Sequence, residues 1–180
     1  MSRILTWSDA QRSDRADLPA FTCTDAPQGR RRAGRWEQHH ERPWELRPQA
    51  ALRTAHPPAQ PPNFMLVGRD DEGIGAAMFY EELDGPGLVE LHIGAVAMRY
   101  RFSGSGVADE MMAATFDAIT TRALETGVDL VEIGAWIDPG NRGSQAMCRR
   151  ATMRQSAVKD DLQRWGTVLL VAGADFDEAP

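Results

Sequence analysis

Apolar positions fall into regular patterns only after residue 62. Residues 64–67 and 74–80 are short apolar runs, and the polar, glycine-bounded stretch 68–73 between them has the chemistry of a hairpin turn, so two antiparallel strands are expected. A second turn, Asp84-Gly85-Pro86-Gly87, leads into residues 88–96, where Val89, Leu91 and Ile93 alternate with Glu90, His92 and Gly94. That period of two predicts a strand with one apolar face and one face able to present chemistry. From Val107 the period lengthens. Met111, Met112, Thr115, Phe116, Ile119 and Ala123 recur at helical spacing until Gly127 offers a stop, and this methionine-rich stripe is read as core. Residues 130–136 then read as a buried strand, Asp138-Pro139-Gly140-Asn141 as a turn, residues 144–151 as a short helix and 168–171 as a last strand before the acidic Asp175-Phe176-Asp177-Glu178. Strands alternating with helices predict an α/β sandwich around a mixed sheet.

The first third is arginine-rich and weakly periodic, and Pro57-Pro58-Ala59-Gln60-Pro61-Pro62 reads as a stiff connector to the rest. A chain of 180 residues suits one domain, parsed here as residues 1–62, 63–171 and an acidic tail, 172–180. Cys23 and Cys148 stand far apart with no partner at metal-ligand spacing, so free thiols and no metal are expected. No run approaches the ~20 apolar residues that span a bilayer, and the N-terminus breaks early into charge, which predicts a soluble cytoplasmic protein with no membrane partner. One Lys against 19 Arg suggests a GC-rich bacterial genome.

Charge divides the chain. Residues 1–62 hold 10 Arg against 7 acids, and residues 63–180 hold 10 cations against 19 acids, within a net charge of −6. An acidic body argues against nucleic acid as the main partner, because such binding depends on clustered cations, and it suits a cationic amine.

Between the strand and the long helix lies Val96-Ala97-Met98-Arg99-Tyr100-Arg101-Phe102-Ser103-Gly104-Ser105-Gly106. A glycine loop that follows a strand and opens a helix can converge backbone amides on a phosphate, with the helix dipole behind them. The loop lacks the third glycine of a dinucleotide fingerprint, and no Gly-Lys-Ser/Thr follows to make a Walker loop. It does resemble the acetyl-CoA signature of the GNAT N-acetyltransferase superfamily: a branched residue five positions before Arg or Gln, two further residues, Gly, any residue, then Gly or Ala. Val96, Arg101, Gly104 and Gly106 fill those places. The likeness continues through residues 63–171, with Asn141 and Ser144 opening the short helix where the family approaches the pantetheine arm and the phosphates.

The resemblance implies a GNAT fold, with a mostly antiparallel mixed sheet of six to seven strands and about four helices. It implies acetyl-CoA as co-substrate, held by Val96, Met98, Arg101, Phe102, Ser103, Gly104, Ser105, Gly106, Asn141 and Ser144. It also implies an acceptor pocket shaped by a first strand and two helices in the N-terminal third, over Leu5 to Leu52. The amine must lose a proton before attack. Glu90, six residues before Val96, takes the place of the catalytic glutamate of the histone-acetylating branch, and His92 on the same face is a second candidate. Glu81 and Glu82 are candidates to bind the substrate ammonium or to serve as base. Where many members carry a tyrosine to protonate the leaving thiolate, this chain has Cys148, with Tyr80 or solvent as substitutes. Thr152-Met153 replaces the family's Gly-Phe after the short helix.

The expected activity is direct acetyl transfer to a primary amine on a small molecule or peptide, with a homodimer as a possible assembly. The competing expectation is a catalytically weak acyl-CoA-binding regulatory module. A third, action on aminoacyl-tRNA, would need Arg30, Arg31, Arg32 and Arg35 as a basic groove. His39-His40 is not expected to bind metal, since adjacent histidines rarely converge on one ion.

Overall fold

The computed structural model describes residues 5–33, 35–83 and 89–171, with only the backbone described at 30–32 and 35–37. The expected turn at 84–87, the acidic tail and the side chains of the arginine cluster lie outside the described residues. In chain order the elements are β1 (Thr6–Asp9), β2 (Gln28–Arg32), β3 (Arg35–His39), α1 (Leu46–Arg53), β4 (Asn63–Asp70), β5 (Gly73–Leu83), β6 (Val89–Met98), α2 (Val107–Thr126), β7 (Leu130–Ile137), α3 (Arg142–Arg150), β8 (Arg154–Lys159) and β9 (Leu162–Leu170). Short 3-10 turns span Arg12–Ala16, Leu18–Ala20, Pro43–Glu45 and Tyr100–Phe102.

Seven strands form one sheet in the order β1-β4-β5-β6-β7-β9-β8, and β2 with β3 forms a separate hairpin. Every pair in the large sheet is antiparallel except β6 with β7, where α2 makes the crossover. The sheet is thus mixed and mostly antiparallel, as expected. Three α-helices flank it among the described residues, because 3-10 turns and the hairpin fill much of the N-terminal third.

The sheet has a core on each face. α2 lays Met111, Met112, Thr115, Ile119 and Ala123, all buried, over Met78, Leu91, Ile93 and Ile133. The opposite face of β4 and β5 is covered by Leu18, Phe21 and Leu52, packed on Met65, Val67, Ile74 and Ala77. Toward the far end of β7 and β9 nothing among the described residues covers that second face, where Leu130, Val168 and Leu170 are exposed.

α2 and α3 end in the same motif. The Val128 amide donates to the Ala123 carbonyl and Gly127 to Leu124; Met153 donates to Cys148 and Thr152 to Arg149. Each pair is a Schellman closure, which needs a left-handed residue. Gly127 supplies it at φ 71 and Thr152 at φ 61. Met153 is buried at the apolar position that follows. Thr152 thus takes the left-handed position and Met153 the buried one, and β8 begins directly after them. No helix among the described residues is long and apolar enough to cross a membrane.

Candidate active site

β6 and β7 pair only from Val89↔Val131 to Ile93↔Ala135, whereas β6 runs on to Met98. Its edge over residues 94–98 is therefore open toward the diverging β7. At the point of divergence the β5–β6 register steps from Tyr80↔Ile93 to Phe79↔Ala95, leaving Gly94 as an unpaired bulge residue. A Cβ added at Gly94 would meet nothing within 4 Å. The bulge resets the alternation, so that Leu91 and Ile93 and then Val96 and Met98 join the α2-side core, while Ala97 joins the opposite one.

Two cavities meet at this splay. The first, about 510 Å³, is walled by Val96, Met98, Tyr100, Gly104, Gly106 and Asn141. The second, about 350 Å³, is walled by Arg47, Glu81, His92, Gly94, Trp136 and Cys148. Trp44, Pro48, Val96, Asn141, Ser144 and Met147 line both.

The first cavity is edged by backbone. Gly104 and Gly106 take left-handed φ values of 73 and 89, and a Cβ added at either would point into open space. The 3-10 turn engages some of the loop's amides: Phe102 donates to Arg99, Ser103 to Tyr100 and Ser105 to Phe102. The amides of Gly104, Gly106 and Ala108 have no acceptor among the described residues. No side chain caps α2, whose 20 residues align their dipole behind these amides. Unsatisfied N–H groups around an open concavity at a helix N-terminus suit a diphosphate. The donor set is accordingly narrower than residues 101–106 and reaches into the first turn of α2.

The loop is tethered to the β4–β5 turn. The Arg101 guanidinium faces away from the cavity, donating to Asp70 at 2.7 Å, pairing with Glu72 at 3.2 Å and lying over the Phe102 ring. Arg99 donates from Nε to the Ile74 carbonyl at 2.6 Å. Phe102 is buried against Gly75, where a methyl group would overlap its ring. Of the expected cofactor residues, Val96, Met98, Phe102, Ser103, Gly104, Gly106, Asn141 and Ser144 line the first cavity. Arg101 and Ser105 do not: Arg101 anchors the loop, and the Ser105 hydroxyl donates to the Phe102 carbonyl at 2.6 Å. Across the cavity, Asn141 caps α3 by accepting from the Ser144 amide at 3.1 Å.

The second cavity is walled by side chains. Glu81 and His92 are register partners on β5 and β6, on the face that α2 does not cover. Burial holds His92 below the ordinary histidine value of 6.5, against the opposing pull of the Glu81 and Glu90 carboxylates. The imidazole is therefore neutral at neutral pH and free to accept a proton. Glu90 is already engaged. Arg164 reaches from β9 over Gly134, which has no side chain to block it, and donates to Glu90 at 2.5 Å and to Glu132 at 2.8 Å. Glu90 lines neither cavity. The place given to it from sequence is on the correct face, but its carboxylate serves an ion cluster.

Burial pushes the Cys148 thiol up to about 11. Handing its proton to a thiolate of ordinary pKa ~8.5 would be uphill by roughly 3 kcal/mol, so Cys148 is a poor acid for the leaving group. Tyr80 fares no better. It is buried in the core, stacked on Phe64 with ring centroids 5.2 Å apart, and lines neither cavity.

Arg150 was not anticipated from sequence, and Trp44 and Arg47 only as part of the N-terminal segment expected to shape the acceptor pocket, with Trp44 read as a packing residue. Arg150 lines the first cavity while gripping Asp109 through two bonds of 2.9 Å, which offsets an acid in the first turn of α2. Trp44 and Arg47 come from the aperiodic N-terminal third. α1 is docked through Gln49, whose side-chain oxygen accepts from the amides of Cys23 and Thr24. His40 is a structural tie, its Nδ1 accepting from the Arg42 amide and its Nε2 lying 2.9 Å from the Asp25 carbonyl. Among the described residues no three His, Cys, Asp or Glu side chains converge as a metal site.

No curated protein matches the sequence. Solved structures share its fold at low identity. The GNAT domain of S. lividans PAT is 16% identical at a TM-score of 0.61, covering 92% of this chain and 90% of its own. AtaTR, crystallised with AcCoA, is 12% identical at 0.62, with coverages of 92% and 93%. A protein from Desulfovibrio desulfuricans described as an acetyltransferase of the GNAT family is 14% identical at 0.57, with coverages of 93% and 99%. The sequence itself matches the acetyltransferase (GNAT) domain family over residues 10–154. With that match spanning most of the chain, and the splayed strands and amide-lined loop in place, the protein belongs to the GNAT acetyltransferase family.

Proposed function

We propose that this protein transfers acetyl from acetyl-CoA directly to a primary amine, with the co-substrate in the first cavity and the acceptor entering through the second. The observation that carries this reading is the splay itself: an open β6 edge lies between a loop of unengaged amides and a cavity lined by His92. The diphosphate would rest on the amides of Gly104, Gly106 and Ala108. The acyl arm would follow the free edge past Val96, whose exposed backbone donors can polarise the thioester carbonyl.

His92 is the assigned base, in preference to Glu90. Its ring nitrogen takes a proton from the acceptor ammonium, and the freed lone pair forms the C–N bond. The electrons of the C–S bond leave with sulfur, and the proton lost from nitrogen on collapse passes to the thiolate through solvent. Glu81 steadies the ammonium and the imidazolium. Glu90, Arg164 and Glu132 fix the charge beneath them.

Isothermal titration with acetyl-CoA, followed by turnover of an amine panel, tests the assignment. Micromolar binding together with CoA release that depends on both amine and His92 is the expected result. Absence of binding at millimolar acetyl-CoA would overturn the proposal, and tight binding without turnover of any amine would favour the regulatory module.

A further inference from the structure

The second cavity carries opposite charges on two walls. Glu81 and His92 stand side by side on β5 and β6, while Arg47 lines the cavity from the first turn of α1. Among the described residues four arginines line the two cavities. Arg42 pairs with Glu45 at 3.1 Å, Arg99 holds the Ile74 carbonyl, and Arg150 holds Asp109. Arg47 has no hydrogen bond or ion pair to any described residue, although its field reaches His92.

A solvated surface arginine needs no partner, but this one faces a cleft beside acidic groups and carries the sign of the helix N-terminus it sits on. Guanidinium groups are suited to carboxylate recognition, since their fork matches the two oxygens. The same cavity has two flat apolar lining groups, Trp44 and Trp136, the latter 37% exposed.

We propose that the acceptor is a small amine of the amino-acid type that also bears a carboxylate. The carboxylate would lie on Arg47, the amine at Glu81 and His92, and an apolar body between Trp44 and Trp136. The proposal deepens the acetyltransferase reading and rests on it. It also excludes acceptors by charge: a diamine or polyamine would set its second cation against Arg47, and a lysine side chain in a protein brings no carboxylate to it.

The test uses the full protein saturated with CoA, so that binding is read without turnover, through the fluorescence of the two cavity tryptophans. The probes are matched sets, each an apolar amino acid, its carboxamide and its decarboxylated amine. The acid is expected to bind about tenfold tighter than the amide, the size of one charge-assisted contact. Arg47→Gln should abolish that difference and Arg47→Lys should restore part of it, with acetyl-CoA affinity unchanged in both. Equal binding of amide and acid, a preference that survives Arg47→Gln, or no binding of any acid would overturn the proposal. Failure of the underlying reading would show separately, as the absence of CoA saturation.

Discussion

The two cavities share the splayed strands but are built from different material. The side proposed for the cofactor is backbone: three amides with no acceptor among the described residues, two left-handed glycines and an open strand edge, all tethered to the β4–β5 turn through Asp70, Ile74 and Gly75. The side proposed for the acceptor is a set of side chains drawn from α1, β5, β6 and β7. Backbone recognition tolerates sequence change wherever the chain path is kept, while side-chain recognition alters with each substitution. One half can therefore be shared across a family while the other is particular to this protein.

Substitutions on each side should separate the two. The largest effect is expected at Gly106, because Gly106→Val strains a left-handed position and fills the phosphate space. Strain of about 1–3 kcal/mol and lost amide contacts predict a rise in the acetyl-CoA Kd of about 100-fold or more by calorimetry. Thermal melting would report separately whether the strain had spread.

On the acceptor side, His92→Gln should lower kcat by about 100-fold and leave the acetyl-CoA Kd in place. If the same variant weakened acetyl-CoA binding instead, the separation would fail. The base must be neutral and burial lowers its pKa, so kcat should rise with pH along a limb centred below 6.5 and level off above it. Glu81 raises that pKa and Arg47 lowers it; Glu81→Gln should move the limb to lower pH and Arg47→Gln to higher pH.

A smaller effect is expected from Asp70→Ala. It leaves the part-buried Arg101 guanidinium short of a partner, so KM for acetyl-CoA should rise about tenfold with kcat unchanged, alongside a stability loss of about 1–3 kcal/mol. A fall in kcat without a change in KM would argue against loop tethering. The smallest effect lies outside both cavities. Thr152→Gly relieves a β-branched residue at φ 61 and should stabilise the fold by about 0.5–1 kcal/mol in denaturant melts, with kinetics unaltered.

How much was legible in the sequence follows the same division. β4, β5 and β7 were readable as continuous apolar runs, β6 and α2 by their periods, α3 from the turn before it, and the glycine loop by its match to the family signature. β8 was missed: all six of its residues are exposed at a sheet edge, so it carries no alternation. β9 was shortened to its last residues because Gln163, Arg164 and Gly166 interrupt its apolar pattern. The bulge at Gly94 has no signature beyond the glycine itself. Glu90 was placed on the correct face, but the guanidinium that engages it lies 74 residues away. The acceptor wall was expected from the N-terminal third but not its residues, since Trp44 and Arg47 sit in a segment whose position depends on Gln49 and His40 contacts rather than on periodicity.

The most direct test of the central claim is an amide NMR titration of the labelled protein with acetyl-CoA. The resonances of Gly104, Gly106 and Ala108 should shift downfield together and saturate at the calorimetric Kd, as free amides gain a charged acceptor, while Phe102, Ser103 and Ser105 move little. Saturable binding that leaves those three amides unmoved would contradict the account and place the diphosphate elsewhere.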